Sequence, residues 1–140
     1  MAVNLILRVI TGPHKGQMYF FPARARCTIG RASDCFVRLV GDPRDQLISR
    51  HHCMLDINLP HVTVQDLNSL NGTHVNGSSV SPIHNCPRTE AFQGTELYHL
   101  DEIQIGDCSL RVELVSAELG PLMVCRKNQE FDQYDQDRRM

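Results

Sequence analysis

The sequence predicts an all-β domain, a sandwich or barrel of short strands, and three observations carry that reading. Apolar residues recur at alternate positions in runs of two to eight residues, the period of a strand with one buried face. Gly, Pro, Asn and Asp separate the runs, as turn chemistry requires. No segment keeps a 3.6-residue apolar period over the length of a convincing helix.

Taken in order, residues 4–10 alternate around Leu5, Leu7 and Val9. The turn Gly12-Pro13-His14-Lys15-Gly16 leads into residues 17–21. Further strands are expected at 27–29, 36–40, 52–57, 62–66, 74–75, 79–81, 96–99, 102–105 and 108–115, about eleven in all. Asn71-Gly72 and Asn76-Gly77 are turn dipeptides, because both residue types tolerate a positive φ. Two segments break the rhythm. Residues 82–95 hold two prolines and no alternation, so they read as a long loop. Residues 117–140 include Gly120-Pro121 and end in a charge-balanced stretch with Arg126, Lys127, Arg138 and Arg139 against Glu130, Asp132, Asp135 and Asp137. Such a stretch buries too little apolar surface to order itself. The expected organisation is a folded domain over residues 1–116 and a disordered C-terminal tail over 117–140.

Composition narrows the function classes. The chain has 140 residues, 41% hydrophobic and 21% charged, enough for one domain with a real core. No apolar run approaches the roughly 18 residues of a membrane span, and residues 4–10 lack the basic flank of a signal peptide. A cytoplasmic protein with no membrane partner is expected. The net charge of −2 argues against a nucleic-acid binder that lives on phosphate contacts. Twelve of the fourteen cations are Arg, a bias that a GC-rich genome would also produce. The six cysteines form no C-x-x-C pair, which removes zinc-ribbon and redox motifs. All six are expected to be reduced, with Cys27, Cys53 and Cys108 acting as small buried hydrophobes. No metal or cofactor is expected, and nothing in the pattern calls for more than a monomer.

Three polar blocks fall at strand ends. Gly30-Arg31 follows residues 27–29; Ser49-Arg50-His51-His52 opens the run at 52–57; Asp66-Leu67-Asn68-Ser69-Leu70-Asn71-Gly72-Thr73 closes the run at 62–66, with Asn76-Gly77 close behind. In an antiparallel sandwich, loops at one end converge and carry binding residues on a rigid scaffold. Two guanidiniums, a hydroxyl and an amide make a donor-rich pocket for an anion, and a phosphoryl group matches it in charge and acceptor count.

In this order and at these intervals, eighteen residues from Arg31 to Ser49 and nineteen from His52 to Asn71, the blocks resemble the forkhead-associated (FHA) domain. Asp101 to Gly106 and Leu110-Arg111-Val112 resemble its closing strands. The resemblance implies a two-sheet twisted β-sandwich, mostly antiparallel, that binds an extended phosphothreonine peptide at one end. It implies a non-catalytic adaptor in Ser/Thr kinase signalling, its partner a phosphothreonine-containing protein such as a kinase or its substrate. Arg31 and Ser49 would contact the phosphate, Arg50 would add a second cation, and Asn71 would hydrogen-bond the peptide backbone. Gly30 and His52 would position the loops, Gly72 and Thr73 would shape the turn behind Asn71, and Asn76-Gly77 would be a hairpin turn. Arg44 and Leu47 would lie in the loop that reads the residue three after the phosphothreonine, one favouring an acidic side chain and the other an apolar one. Two departures stand out: Leu100-Asp101 where the family often has Gly-Asp, and the length of the 82–95 loop.

The residues leave two other classes to weigh. A phosphate-independent scaffold on the same sandwich is the alternative reading. An enzyme is disfavoured: Ser49 and its neighbouring histidines alternate faces on a strand, and neither a nucleophile elbow nor an orienting acid accompanies them. His51 has no assigned role, and no spacing supplies metal partners for His52.

Overall fold

The computed structural model describes residues 3–80 and 94–116. Among these residues the chain forms eleven strands: β1 (Val3–Thr11), β2 (Met18–Phe21), β3 (Ala25–Gly30), β4 (Val37–Arg38), β5 (Cys53–Asn58), β6 (His61–Asp66), β7 (Thr73–Val75), β8 (Ser78–Ser79), β9 (Thr95–Leu97), β10 (Glu102–Ile105) and β11 (Cys108–Ser116). They build a six-stranded sheet in the order β2-β1-β11-β10-β7-β8 and a five-stranded sheet in the order β4-β3-β5-β6-β9. Only the short β3–β4 pair is parallel; every other described pair is antiparallel. This is the two-sheet sandwich expected from the sequence.

The alternation seen in the sequence becomes the core. Leu5, Leu7 and Val9 of β1, Ile103 and Ile105 of β10, and Leu110 and Val112 of β11 face inward from the larger sheet. Cys27 and Ile29, Leu55 and Ile57, and Val62 and Val64 meet them from the smaller one. Each aliphatic side chain so buried contributes about 1.5–3 kcal/mol. Cys27, Cys35, Cys53 and Cys108 are buried free thiols; burial pushes Cys27 up to about 12 and Cys108 up to about 11. The sequence reading of these thiols as small hydrophobes agrees with that placement. Cys86 and Cys125 lie outside the described residues.

Several boundaries differ from the sequence reading, each for a local reason. The run at 36–40 supplies only the two residues of β4, and Phe36 instead turns its ring onto Tyr19 and Phe21. Residues 43–47 form a 3-10 turn, not plain loop. Asp42 caps it by accepting the Arg44 N–H at 2.9 Å, its own N–H donates to the Asp45 carboxylate at 3.0 Å, and Pro43 opens it. Tyr98 and His99 leave the strand for a turn closed by the Asp101 N–H on the Tyr98 carbonyl. Thr95 belongs to β9, and the rest of the 82–95 loop up to residue 93, like the tail at 117–140, lies outside the described residues. Asn76 and Gly77 both have positive φ, 51° and 89°, in the β7–β8 hairpin, whereas in the Asn71-Gly72 pair only Gly72 does, at 84°. Among the described residues no helix is long and apolar enough to cross a membrane.

Candidate functional site

Because β3 and β6 run opposite to β5, the end of β3, the start of β5 and the end of β6 lie at one end of the smaller sheet. The three loops there carry the three polar blocks. Segment 47–50 is their hub. The Arg31 Nε–H donates to the Ile48 carbonyl, the Leu70 N–H donates to the Ser49 hydroxyl at 3.0 Å, and the Asn71 amide donates to the Leu47 carbonyl at 2.8 Å. Arg31, Ser49 and Asn71 are therefore held on one short stretch of chain.

The backbone beneath them is stitched tightly. The Arg31 N–H donates to the Ser49 carbonyl at 3.2 Å and the Ala32 N–H to the Arg50 carbonyl at 3.0 Å. Gly30 allows this approach: a Cβ there would sit 2.1 Å from the Arg50 carbonyl oxygen and 2.9 Å from that of Ser49. No side chain fits in that space. Arg50 is exposed, and among the described residues neither its guanidinium nor that of Arg31 is paired with a carboxylate. Among the described residues no carboxylate neutralises either cation, and the Ser49 hydroxyl, whose oxygen accepts from Leu70, keeps its O–H to donate. That arrangement suits an anion with several acceptor oxygens.

His52 is fully buried and uses both ring nitrogens. Nδ1 accepts the Ser49 N–H at 3.0 Å, so Nε2 carries the proton and donates to the Gly72 carbonyl at 2.8 Å. Burial lowers its pKa, which keeps this neutral tautomer in place. The ring thus ties the serine loop to the asparagine loop and touches no open surface. Thr73 is also fully buried, its hydroxyl donating to the Asp66 carboxyl at 2.7 Å. Asp66 accepts as well from the Ser69 hydroxyl and N–H, and the Ser69 hydroxyl accepts the Gly72 N–H at 2.9 Å. Asn76 is pinned to β10 by its amide on Asp101 and by the Glu102 N–H on its side-chain oxygen.

Asp66 and Ser69 stand in the third polar block with no role assigned to them in the sequence, and His14 is the residue that sequence reasoning missed. The His14 ring sits 2.9 Å from the Asp45 carboxylate, which is itself buried and caps the 3-10 turn. The turn after β1 thereby clamps the loop that carries Arg44 and Leu47. D-x-x-S, the spacing of Asp66 and Ser69, is a legible local turn signal; the His14–Asp45 pairing spans 31 residues and left no local trace. Arg44 and Leu47 do not occupy equivalent places. The Arg44 guanidinium turns to Asp42 at 3.2 Å, whereas Leu47 is half-exposed and lines a cleft of about 310 Å³ with Asn71, Gly72, His74 and Gln104.

The FHA domain family model matches residues 27–106, more than half of the chain and all three polar blocks. The chain belongs to the FHA family. Its FHA domain is 29% identical over 123 residues to human proliferation marker protein Ki-67, and it spans 3% of that protein's length while 87% of the chain is covered. It is similar to the kinase-interacting FHA domain of kinase associated protein phosphatase, KAPP, from Arabidopsis: TM-score 0.65, 27% identity, 82% of this chain and 96% of that one. An FHA domain solved in a study of phosphothreonine-dependent interactions superposes with TM-score 0.59 at 25% identity, covering 79% of this chain and 95% of that one. The FHA domain of an Arabidopsis thaliana hypothetical protein shares the fold at TM-score 0.68 and 24% identity, with 86% and 90% coverage.

Proposed function

We propose that this FHA domain is a phosphothreonine-dependent interaction module in Ser/Thr kinase signalling. The observation that carries the reading is the convergence of Arg31, Ser49 and Asn71 on segment 47–50, with Arg50 beside them and no carboxylate paired to either guanidinium among the described residues. Arg31 and Arg50 neutralise the phosphate, and the Ser49 O–H donates to it while Leu70 fixes the serine oxygen. Asn71 keeps its carbonyl oxygen and one amide hydrogen for the backbone of an extended peptide, because only one N–H is spent on Leu47. Recognition needs no bond making, and the site is read as a binding site without catalysis. The phosphothreonine-dependent and kinase-interacting FHA domains to which the chain is similar support this assignment. Gly30, His52, Gly72, Thr73, Asn76 and Gly77 hold the loops and stay off the ligand.

Micromolar affinity needs about 8 kcal/mol, which a few charge-assisted bonds and modest burial supply. Isothermal titration with an oriented phosphothreonine peptide library tests the reading. Wild type binds phosphorylated peptides only, and Arg31→Ala loses binding while keeping its fold. Equal binding by Arg31→Ala, or partner capture that survives phosphatase treatment, overturns it in favour of a phosphate-independent scaffold.

A further inference from the structure

Beside the phosphate loops, on their outer flank, lies a side-chain cluster that the phosphopeptide reading does not use. Asp34 and Cys35 follow β3, and His51 stands two residues before β5. One donor atom from each, a carboxylate oxygen, the Cys35 Sγ and a His51 ring nitrogen, lie within 4.8 Å of one another. Asp34 and His51 are exposed and already bonded, Nε2 to Oδ1 at 2.9 Å, while Cys35 is buried with its thiol directed to the Arg50 carbonyl at 3.2 Å.

We propose that Asp34, Cys35 and His51 form a zinc site that staples the Arg31 loop to the Ser49–Arg50 loop. Thiolate, imidazole and carboxylate together are a donor set for a borderline-soft cation, and zinc takes all three. In a tetrahedral site, Zn–S of about 2.3 Å and Zn–N of about 2.0 Å put sulfur and nitrogen about 3.5 Å apart. The three donor atoms already lie within 4.8 Å of one another, and the ligands that have to move to reach that value are the exposed side chains of Asp34 and His51. The backbone is already set: the Cys35 N–H donates to the Ala32 carbonyl at 3.1 Å, and the Ala32 N–H donates to the Arg50 carbonyl. Three protein ligands leave the fourth position to water. Binding releases the thiol proton of Cys35 to solvent as the Zn–S bond forms, and neutral His51 moves its ring proton from Nε2 to Nδ1 so that the Nε2 lone pair binds the metal, with no change of oxidation state. Residues 16 and 17 apart on two loops show no ligand spacing in the sequence, which is why the sequence reading found no metal site.

The test uses the full chain, freed of metal by chelation and kept reduced with a phosphine. Titrated with Zn²⁺ alone, wild type takes up one equivalent and melts several degrees higher, and Cys35→Ser, His51→Ala and Asp34→Asn each weaken uptake at least tenfold. Co²⁺ in place of zinc gives a thiolate charge-transfer band that Cys35→Ser removes. His51→Ala and Asp34→Asn change exposed side chains and serve as the folded variants if Cys35→Ser does not fold. No uptake by wild type, or uptake that His51→Ala and Asp34→Asn leave unchanged, overturns the site.

Discussion

The Nε2–H of His52 donates to the carbonyl of Gly72 across 2.8 Å of buried space, joining the start of β5 to the turn before β7. Because Nδ1 of the same ring accepts the Ser49 N–H, one side chain sets the distance between the serine and asparagine loops. The site's geometry therefore depends on a residue that has no contact with solvent. His52→Ala leaves a cavity and two unpartnered backbone groups. It is expected to cost about 3–5 kcal/mol in urea unfolding and to weaken phosphopeptide binding in whatever fraction stays folded.

The same ring sets a pH dependence. Burial lowers its pKa from 6.5, so the folded state resists a proton that the unfolded chain accepts. The stabilisation is complete above the unfolded pKa. It is lost as pH falls through that value toward the lowered folded one. Urea midpoints of wild type should fall from pH 7.5 to 5.5, and a folded His52→Gln variant should show a shallower fall. Parallel slopes for the two proteins would place the titration elsewhere.

Gly30→Ala tests the close approach of the two loops. The new Cβ would meet the Arg50 carbonyl carbon at 2.8 Å and its oxygen at 2.1 Å, and both atoms belong to a backbone held by the Ala32 and Cys35 bonds. Overpacking against fixed backbone costs about 3 kcal/mol or more. Denaturant unfolding reads the loss, and phosphopeptide titration should show weakened binding because Arg31 and Ser49 are moved apart.

Leu100 occupies the left-handed region at φ 73° on a half-exposed turn. Its N–H is committed to the Val112 carbonyl at 2.7 Å, so the backbone is held in that conformation. A branched side chain there costs about 1–2 kcal/mol, part of which glycine returns as unfolded-state entropy. Leu100→Gly is expected to stabilise the domain by about 0.5–1 kcal/mol, read as a higher thermal midpoint. A lower midpoint would show that the partial burial of Leu100 outweighs its backbone strain.

Specificity next to the phosphate should follow Leu47. It lines the cleft beside Asn71, whereas Arg44 is tied to Asp42. Leu47→Ala is expected to lower affinity about five- to tenfold for peptides with an apolar residue three after the phosphothreonine. Arg44→Ala should leave that preference unchanged. Library selection with the two variants checks both outcomes, and a preference that follows Arg44 would reverse the assignment.

The fold was legible in the sequence because alternation such as Leu5, Leu7, Val9 is a local signal, and burial in this sandwich acts on that same period. Asn76-Gly77 announced its hairpin because the required φ values belong to those residue types. The polar blocks at 30–31, 49–52 and 71–73 were legible as one donor-rich site because loops converge at one end of a sandwich, and the resemblance to a family gave each residue its role. The sequence left Arg44 and Leu47 open as specificity residues; the structure adds that Arg44 is bonded to its capping neighbour Asp42 and that Leu47 lines the cleft beside Asn71.

What the chain alone determined, then, is the strand pattern, the turns and the set of donors suited to an anion. Tertiary structure decided which groups those donors spend on their own scaffold and which remain free. It also made His52 a bridge, Gly30 a contact point and His14 a clamp on Asp45. The physical reason is separation: these partners lie 17 to 31 residues apart, and hydrogen bonds over such intervals exist only after the two sheets have closed.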